Sequence, residues 1–297
     1  MRTRAVVTLL AALALPLSGC AVQASEAAPV RAAAVPAGAT PVPDPSPGTA
    51  EVPHHLGPDS RLDAVREAGV LKVCTTGDYR PFTYLDPKTG DYTGIDVDMA
   101  QNLAASLGVR VRWVKTSWPR LMDDTLTRCD IAVGGISINT DRAQRAFFSD
   151  AVIEEGKTPI TRCENKEKYD TIEEINSEGV RSITPIGGTN EKFAVKNYPR
   201  GTLIRWPDNN TIFDQIIAGR ADVMTTDASE AVWVAKTHPE LCALHPEQPF
   251  DYFGKGYLLP RGDVVFKEYV DVWLNMAKKG GTWDAATRPW FGDTRLD

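Results

Sequence analysis

Residues 180–235 read VRSITPIGGTNEKFAVKNYPRGTLIRWPDNNTIFDQIIAGRADVMTTDASEAVWVA, and the period of their apolar positions decides the fold. Strand-like VRSITPI precedes helix-like TNEKFAVKNYP, TLIRW precedes NNTIFDQIIAG, and ADVMTTD precedes ASEAVWVA. Strands that alternate with helices pair in parallel through crossover connections, so the stretch predicts an α/β lobe. The same alternation stands upstream. RLDAVREAG and VLKVCTT lead through a hairpin-like TYLDPKTGDYTG to the helix DVDMAQNLAASLG, then to VRVRWVKT, SWPRLMDDTLTRC and DIAVGGI. Two further helices, in residues 263–280 and 282–291, close the chain and are expected to return to the first block. The fold class is therefore α/β with two lobes and two crossover hinge strands, near residues 153–157 and 253–256. Lobe 1 takes residues 59–154 and 255–297, and lobe 2 takes 155–254. A cleft between such lobes is where a small ligand sits.

Outside this region the chain has a different character. Arg2 and Arg4 precede an apolar run from Ala5 to Leu17, which has the layout of a secretory signal and is too short to span a bilayer. It ends in Leu17-Ser18-Gly19-Cys20, which resembles the bacterial lipobox and makes residues 1–20 a lipoprotein signal with Cys20 as the lipidated residue. Residues 21–58 are rich in Ala, Pro and Val without apolar periodicity, the composition of a tether. These features place the folded part outside the cytoplasm, anchored by lipid to the outer face of the cytoplasmic membrane. A net charge of -6 and the lack of a basic tract exclude nucleic acid as a partner.

Four cysteines remain, with no CxxC or zinc spacing. In an exported chain a disulfide is the better expectation. Cys163 ends the strand-like KTPITRC and Cys242 follows EAVWVAKTHPEL, so both belong to lobe 2 and are paired here. Cys74 lies in the apolar strand GVLKVC, where a buried free thiol is the usual outcome. Two histidines lie in the tether and two beside prolines, so no metal site and no cofactor are expected.

Several turns combine residues that suit a carboxylate-bearing ligand. Gly187-Gly188-Thr189-Asn190 ends a strand and opens a helix, whose free N–H groups favour an anion; with Thr189 as cap it is equally an ordinary turn. The turn carrying Ser137, Asn139 and Arg142 belongs to lobe 1. Asn139 or Thr140 can cap its helix, and Arg142 then either clamps a ligand carboxylate or pairs with Asp141 or another neighbour. Tyr79 and Trp118, in loops at strand ends, can wall a pocket for a ring, whereas Phe82 and Tyr84 read as core. Asp227 and Glu230 have capping-box spacing, and that alone favours a helix cap. A buried Glu230 would instead hold its proton, as a general acid must.

Gly94-Ile95-Asp96-Val97-Asp98-Met99-Ala100, with Leu103 and Ala104, resembles the signature of the family 3 periplasmic solute-binding proteins, which serve amino-acid importers. The resemblance covers nearly all of the chain from Ser60 to Phe291 and implies the two-lobed type II periplasmic-binding-protein fold. It also implies an arginine (Arg142) and a helix start (Thr189, Asn190) for ligand carboxylates, and an aspartate (Asp227) for a ligand ammonium. The segments SRLDAVREAGVLKV, TTGDYRPF, TSWPRLM, GGISIN, GKTPITRC, GGTNEKFA, DNNTIFDQI, TTDASEA and HPELCALHPEQPFDY are similar to one enzymatic branch, the exported cyclohexadienyl dehydratases. That likeness implies conversion of prephenate and arogenate to phenylpyruvate and phenylalanine, with Glu230 as general acid and no cofactor. It also supports the Cys163–Cys242 pairing. One departure stands out: Pro185-Ile186 occupies the place where that branch carries Asn-Pro, and the lost amide removes a hydrogen bond that could orient substrate or acid. The alternative implied by the wider family is a non-catalytic lipoprotein that delivers an amino acid to an ABC permease.

Overall fold

A computed structural model describes residues 60–292. The signal at 1–20 with Cys20 and the tether at 21–58 lie outside the described residues.

The first part of the chain forms α1 (Arg61–Ala68), β1 (Val70–Thr75), β2 (Asp78–Tyr79), β3 (Thr83–Leu85), β4 (Tyr92–Thr93), α2 (Ile95–Ser106), β5 (Arg110–Lys115), α3 (Leu121–Arg128), β6 (Ile131–Ala132), α4 (Thr140–Ala143) and β7 (Ala146–Phe148). After β8 (Ile153–Glu155) come β9 (Lys157–Arg162), α5 (Ile172–Ile175), β10 (Arg181–Pro185), α6 (Gly188–Asn197), β11 (Thr202–Trp206), α7 (Ile212–Ile217), β12 (Val223–Asp227), α8 (Ala228–Thr237) and β13 (Leu241–Ala243). The chain then returns through β14 (Phe253–Lys255) to β15 (Leu258–Pro260), α9 (Val264–Lys279) and α10 (Thr282–Phe291).

Two five-stranded sheets result, ordered β5-β1-β6-β15-β7 and β11-β10-β12-β9-β13. Each has a parallel centre, β5-β1-β6 in one and β11-β10-β12 in the other, with antiparallel strands added on one side. In both sheets the chain leaves the central strand to one side and comes back on the other. The loops after β1, β6, β10 and β12 therefore gather at the strand ends where α/β sheets bind ligands. The crossings β8 and β14 pair with each other, Glu155 opposite Phe253 and Ile153 opposite Lys255.

Each sheet has its own apolar core. Leu71, Val73, Ile95, Met99, Leu103, Ile131 and Phe266 pack in the first, and Ile160, Ile183, Ile212, Ile216, Met224 and Val234 in the second. Trp233 packs against both, so α8 is covered from the other side of the cleft. The Gly-Ile-Asp-Val stretch has a structural reason. Asp96 is buried at the start of α2 and accepts the N–H groups of Gly134 (2.9 Å) and Gly135 (2.8 Å) and the hydroxyl of Tyr257 (3.1 Å). It fixes the loop after β6 from behind. Burial pushes its carboxyl up to about 6, against the pull of those three donors.

Two sequence expectations need correction. Cys74 is not a free thiol: it is bonded to Cys129, which closes α3 just before β6. The register puts Cys74 opposite Ala132, so parallel pairing of β1 with β6 brings the end of α3 beside it. Cys163 is bonded to Cys242, as expected. Tyr84 is not core: it is half-buried, with the Arg80 guanidinium 3.3 Å over its ring. The Cys74–Cys129 bridge spans 55 residues, and replacing both cysteines by alanine is expected to cost about 2–4 kcal/mol. Calorimetry should register this as a Tm lowered by about 10 °C, and an unchanged Tm would remove the bridge from the stabilising interactions.

Candidate active site

The end of β12 delivers Asp227 and the first turn of α8 delivers Glu230. Their spacing allows a capping box, but none forms. Asp227 makes no side-chain bond to the helix start, and the N–H of Ser229 is taken by Glu155 Oε2 at 2.7 Å. A crossover residue thus supplies the cap. Asp227 then lines the cavity that holds Arg142, whereas Glu230 lines a neighbouring one with Asp78 and Asn209.

Asp227 is 2% exposed and receives three donors: Lys157 Nζ on Oδ1, and Lys255 Nζ and Tyr79 Oη on Oδ2. Burial alone would raise its pKa, but the two ammonium groups hold it well below the usual carboxylate range. Both lysines are themselves buried, Lys157 at 2% and Lys255 at 0% exposed. Such burial is tolerated because every ammonium proton has a partner. Lys157 also donates to Asn190 Oδ1 and to Thr189 Oγ1 (3.0 Å), and Lys255 to Gly135 O (2.9 Å) and Ser137 Oγ (3.1 Å). Desolvation lowers the Lys157 pKa, with Asp227 opposing it.

Glu230 is 1% exposed, and its surroundings differ. Oε1 accepts from Asn209 Nδ2 at 2.8 Å and Oε2 accepts from the Thr226 hydroxyl, both neutral donors. Burial, reinforced by the negative Asp227, pushes its pKa up to about 8, although Thr226, Asn209 and Lys255 pull the other way. Two acids three residues apart are therefore driven in opposite directions. Asp227 is ionised and Glu230 is neutral at pH 7, an arrangement in which one binds charge and the other can give a proton.

Arg142 lies in the first turn of α4, whose cap is Asn139, with Asn139 Oδ1 accepting the Arg142 N–H at 3.0 Å. Its guanidinium is buried and donates to Ser137 O at 2.8 Å. It makes no ion pair among the described residues, and Asp141 pairs instead with Lys192 at 3.0 Å. Desolvation brings the Arg142 pKa down to about 10. A buried cation without a carboxylate partner favours an anionic ligand.

Tyr79, Trp118, Ser137, Arg142, Thr189, Asn190 and Asp227 all line one cavity, together with Pro185. Tyr79 meets Trp118 edge to face, with centroids 5.4 Å apart. Asn139 is not among them: its side chain is spent on the cap, and it lines a wider neighbouring opening of about 460 Å³. The α6 turn is capped by Gly187, not Thr189, with Glu191 Oε2 reaching back to the Gly187 N–H at 2.6 Å. Gly187 has φ 79°, and a Cβ there would meet Pro119 Cγ at 2.8 Å, so this turn needs glycine to approach the opposite loop. The cavity between these walls measures about 20 Å³, room for about one water. A ring-bearing ligand therefore requires the lobes to part.

Lys157, Lys255, Glu155 and Asn209 were not singled out from the sequence. Their only signal is position: three lie on or beside the crossings, where charged residues would be buried from both sides. With Pro185 unable to donate a hydrogen bond, the amide that holds Glu230 is Asn209.

The sequence profile of the bacterial extracellular solute-binding proteins, family 3, matches residues 71–293. A cyclohexadienyl dehydratase of Pseudomonas aeruginosa is 53% identical over 224 residues, 75% of this chain and 83% of its own length. Among solved structures, an ancestral amino acid-binding protein described as a precursor of cyclohexadienyl dehydratase is similar with a TM-score of 0.72 at 32% identity, covering 78% of this chain and 100% of that one. An ancestral cyclohexadienyl dehydratase is similar at 45% identity with a TM-score of 0.51, covering 80% and 98%. No helix among the described residues is long and apolar enough to cross a membrane. Two hinged lobes, a buried acid at the mouth of β12 and sequence identity across most of the chain agree: the chain belongs to the bacterial extracellular solute-binding proteins, family 3, in their cyclohexadienyl dehydratase branch.

Proposed function

We propose that the protein is an exported cyclohexadienyl dehydratase that converts prephenate, and arogenate, into phenylpyruvate and phenylalanine with loss of water and CO2. The observation that carries this reading is Glu230, a carboxylic acid kept neutral to about pH 8 beside an ionised aspartate. In the proposed step Glu230 gives its proton to the ring hydroxyl as the C–O bond breaks. The electron pair of the ring–carboxylate bond moves into the ring, CO2 departs and the ring becomes aromatic. Little further chemistry is needed, so the rest of the site binds and orients.

Arg142, with Ser137, and the Thr189-Asn190 helix start would hold the substrate carboxylates, and Tyr79 and Trp118 would flank the ring. The charges around the cleft suit a dicarboxylate. Lys157, Lys255 and Arg142 outnumber Asp227 even with Glu155, 3.4 Å from Lys255, counted as ionised. Asp227, which the wider family would use for a ligand ammonium, already holds two lysine ammoniums here. That occupation argues against the rival reading, an amino-acid receptor docking on an ABC permease. The lipid anchor at Cys20 belongs to the same proposal. It would tether the enzyme to the outer face of the cytoplasmic membrane by residues 21–58.

The test is direct. Purified protein lacking residues 1–58 is expected to release phenylpyruvate from prephenate, with kcat level below about pH 8 and falling above it as Glu230 loses its proton. Tight binding of amino acids without phenylpyruvate at any pH would establish the receptor instead.

A further inference from the structure

The dehydration leaves Glu230 as a carboxylate, and each cycle consumes one proton: prephenate dianion and H⁺ give phenylpyruvate anion, CO2 and water. Glu230 must be reprotonated before it can act again. Apart from the cavity that Arg142 and Thr189 line, Glu230 lines a second one of about 50 Å³, shared with Asp78, Arg80, Asp214, Trp233 and His238. Its other wall is the Asn209-Asn210 turn that opens α7.

Two observations mark this space as wet. Asn209 Oδ1 and Asn210 Oδ1 are buried without a hydrogen-bond partner, although both residues line the cavity. Buried amide oxygens are rarely left so, and the volume suffices for a few waters with such acceptors to hold them. Asn209 also ties the cavity to the acid. Its Nδ2 donates both to Glu230 Oε1 (2.8 Å) and to Asp78 O (3.0 Å) across the cleft, so the passage persists while the lobes are together. The outer wall is less buried: His238 is half-buried and Asp214 is exposed.

We propose that this cavity is the proton-return route, through which water carries a proton from solvent to Glu230 while the substrate side is closed. The inference rests on the dehydratase reading. Burial raises the Asp78 pKa, with Asp208 adding to the effect, which favours the protonated form of this carboxyl on the passage wall.

Asn210→Leu would fill the passage with apolar atoms without touching Glu230, and Asp78→Asn would remove its inner carboxyl. Rapid-quench mixing with excess prephenate at pH 7 reads the first turnover apart from later ones. For both variants we expect a first turnover at the wild-type rate, one phenylpyruvate per site, then a steady state slowed about tenfold and accelerated by added imidazole buffer. A steady state equal to wild type, or a first turnover slowed as much as the later ones, would overturn the proposal. If wild type itself forms no phenylpyruvate, it is the dehydratase reading that fails.

Discussion

Glu230→Gln is expected to reduce kcat for prephenate by about 10²–10⁴-fold, the contribution of a positioned general acid, while a competing dicarboxylate still binds. Glutamine keeps the shape: its Oε1 can still accept from Asn209 while its Nε2 donates to the Thr226 hydroxyl, so a collapsed site is not expected. The same variant carries a second signature, in stability. The folded-state pKa of Glu230 lies near 8 against an ordinary value of 4.5, so the folded state holds this proton over a range where the unfolded chain has released it. Wild type therefore loses stability as pH rises from about 4.5 to about 8 through this group, and the glutamine variant does not. Relative to wild type, the variant's Tm should rise between pH 5 and pH 8.5. Full turnover by the variant would eliminate Glu230 as the acid; a Tm difference independent of pH would mean its carboxyl is not held neutral.

Removing Asp227 should have the largest effect on stability. In Asp227→Ala the ammonium groups of Lys157 and Lys255 would remain buried without their shared counter-ion, a change that typically costs about 3–5 kcal/mol. A Tm lower by about 10–15 °C is expected for a protein of this size. The loss should shrink toward alkaline pH, because burial lowers the Lys157 pKa and, without Asp227 to oppose it, the folded state sheds that proton before the unfolded chain does, so stability then rises with pH. Adding Lys157→Met and Lys255→Met should restore much of the stability without restoring activity. A single variant as stable as wild type would show that solvent reaches these lysines and that the cluster is not buried.

Much of the architecture follows from local pattern. The strand–helix alternation of residues 180–235 reappears as β10 to α8, and both crossings are strands paired with each other. What the pattern does not carry is contact between distant segments. Cys74 reads the same in an apolar strand whether reduced or bridged; only the β1–β6 register brings Cys129 to it. Asp227 and Glu230 satisfy the spacing of a capping box, but Glu155 arrives from a crossing 74 residues away and takes the N–H of Ser229. Lys157 and Lys255 lie on or beside strands legible as crossings, but their burial depends on two lobes meeting over them. Arg142, Tyr79, Trp118, Thr189 and Asn190 were legible because each stands at a strand end or helix start. Asn139 reads from the sequence both as a ligand contact and as a cap, and its side chain is used as the cap of α4.

The two disulfides define a covalent map of the molecule. Cys74–Cys129 closes a loop within the first sheet and its helix, and Cys163–Cys242 closes one within the second. Neither ties one lobe to the other. Oxidation outside the cytoplasm can therefore stiffen each wall of the cleft, with the peptide chain at the two crossings left as the sole covalent connection between the walls among the described residues. A bridge across the lobes would hold the 20 Å³ cavity shut against any ring-bearing molecule. With each bridge confined to one side, sulfur chemistry and substrate admission are separate properties of the fold.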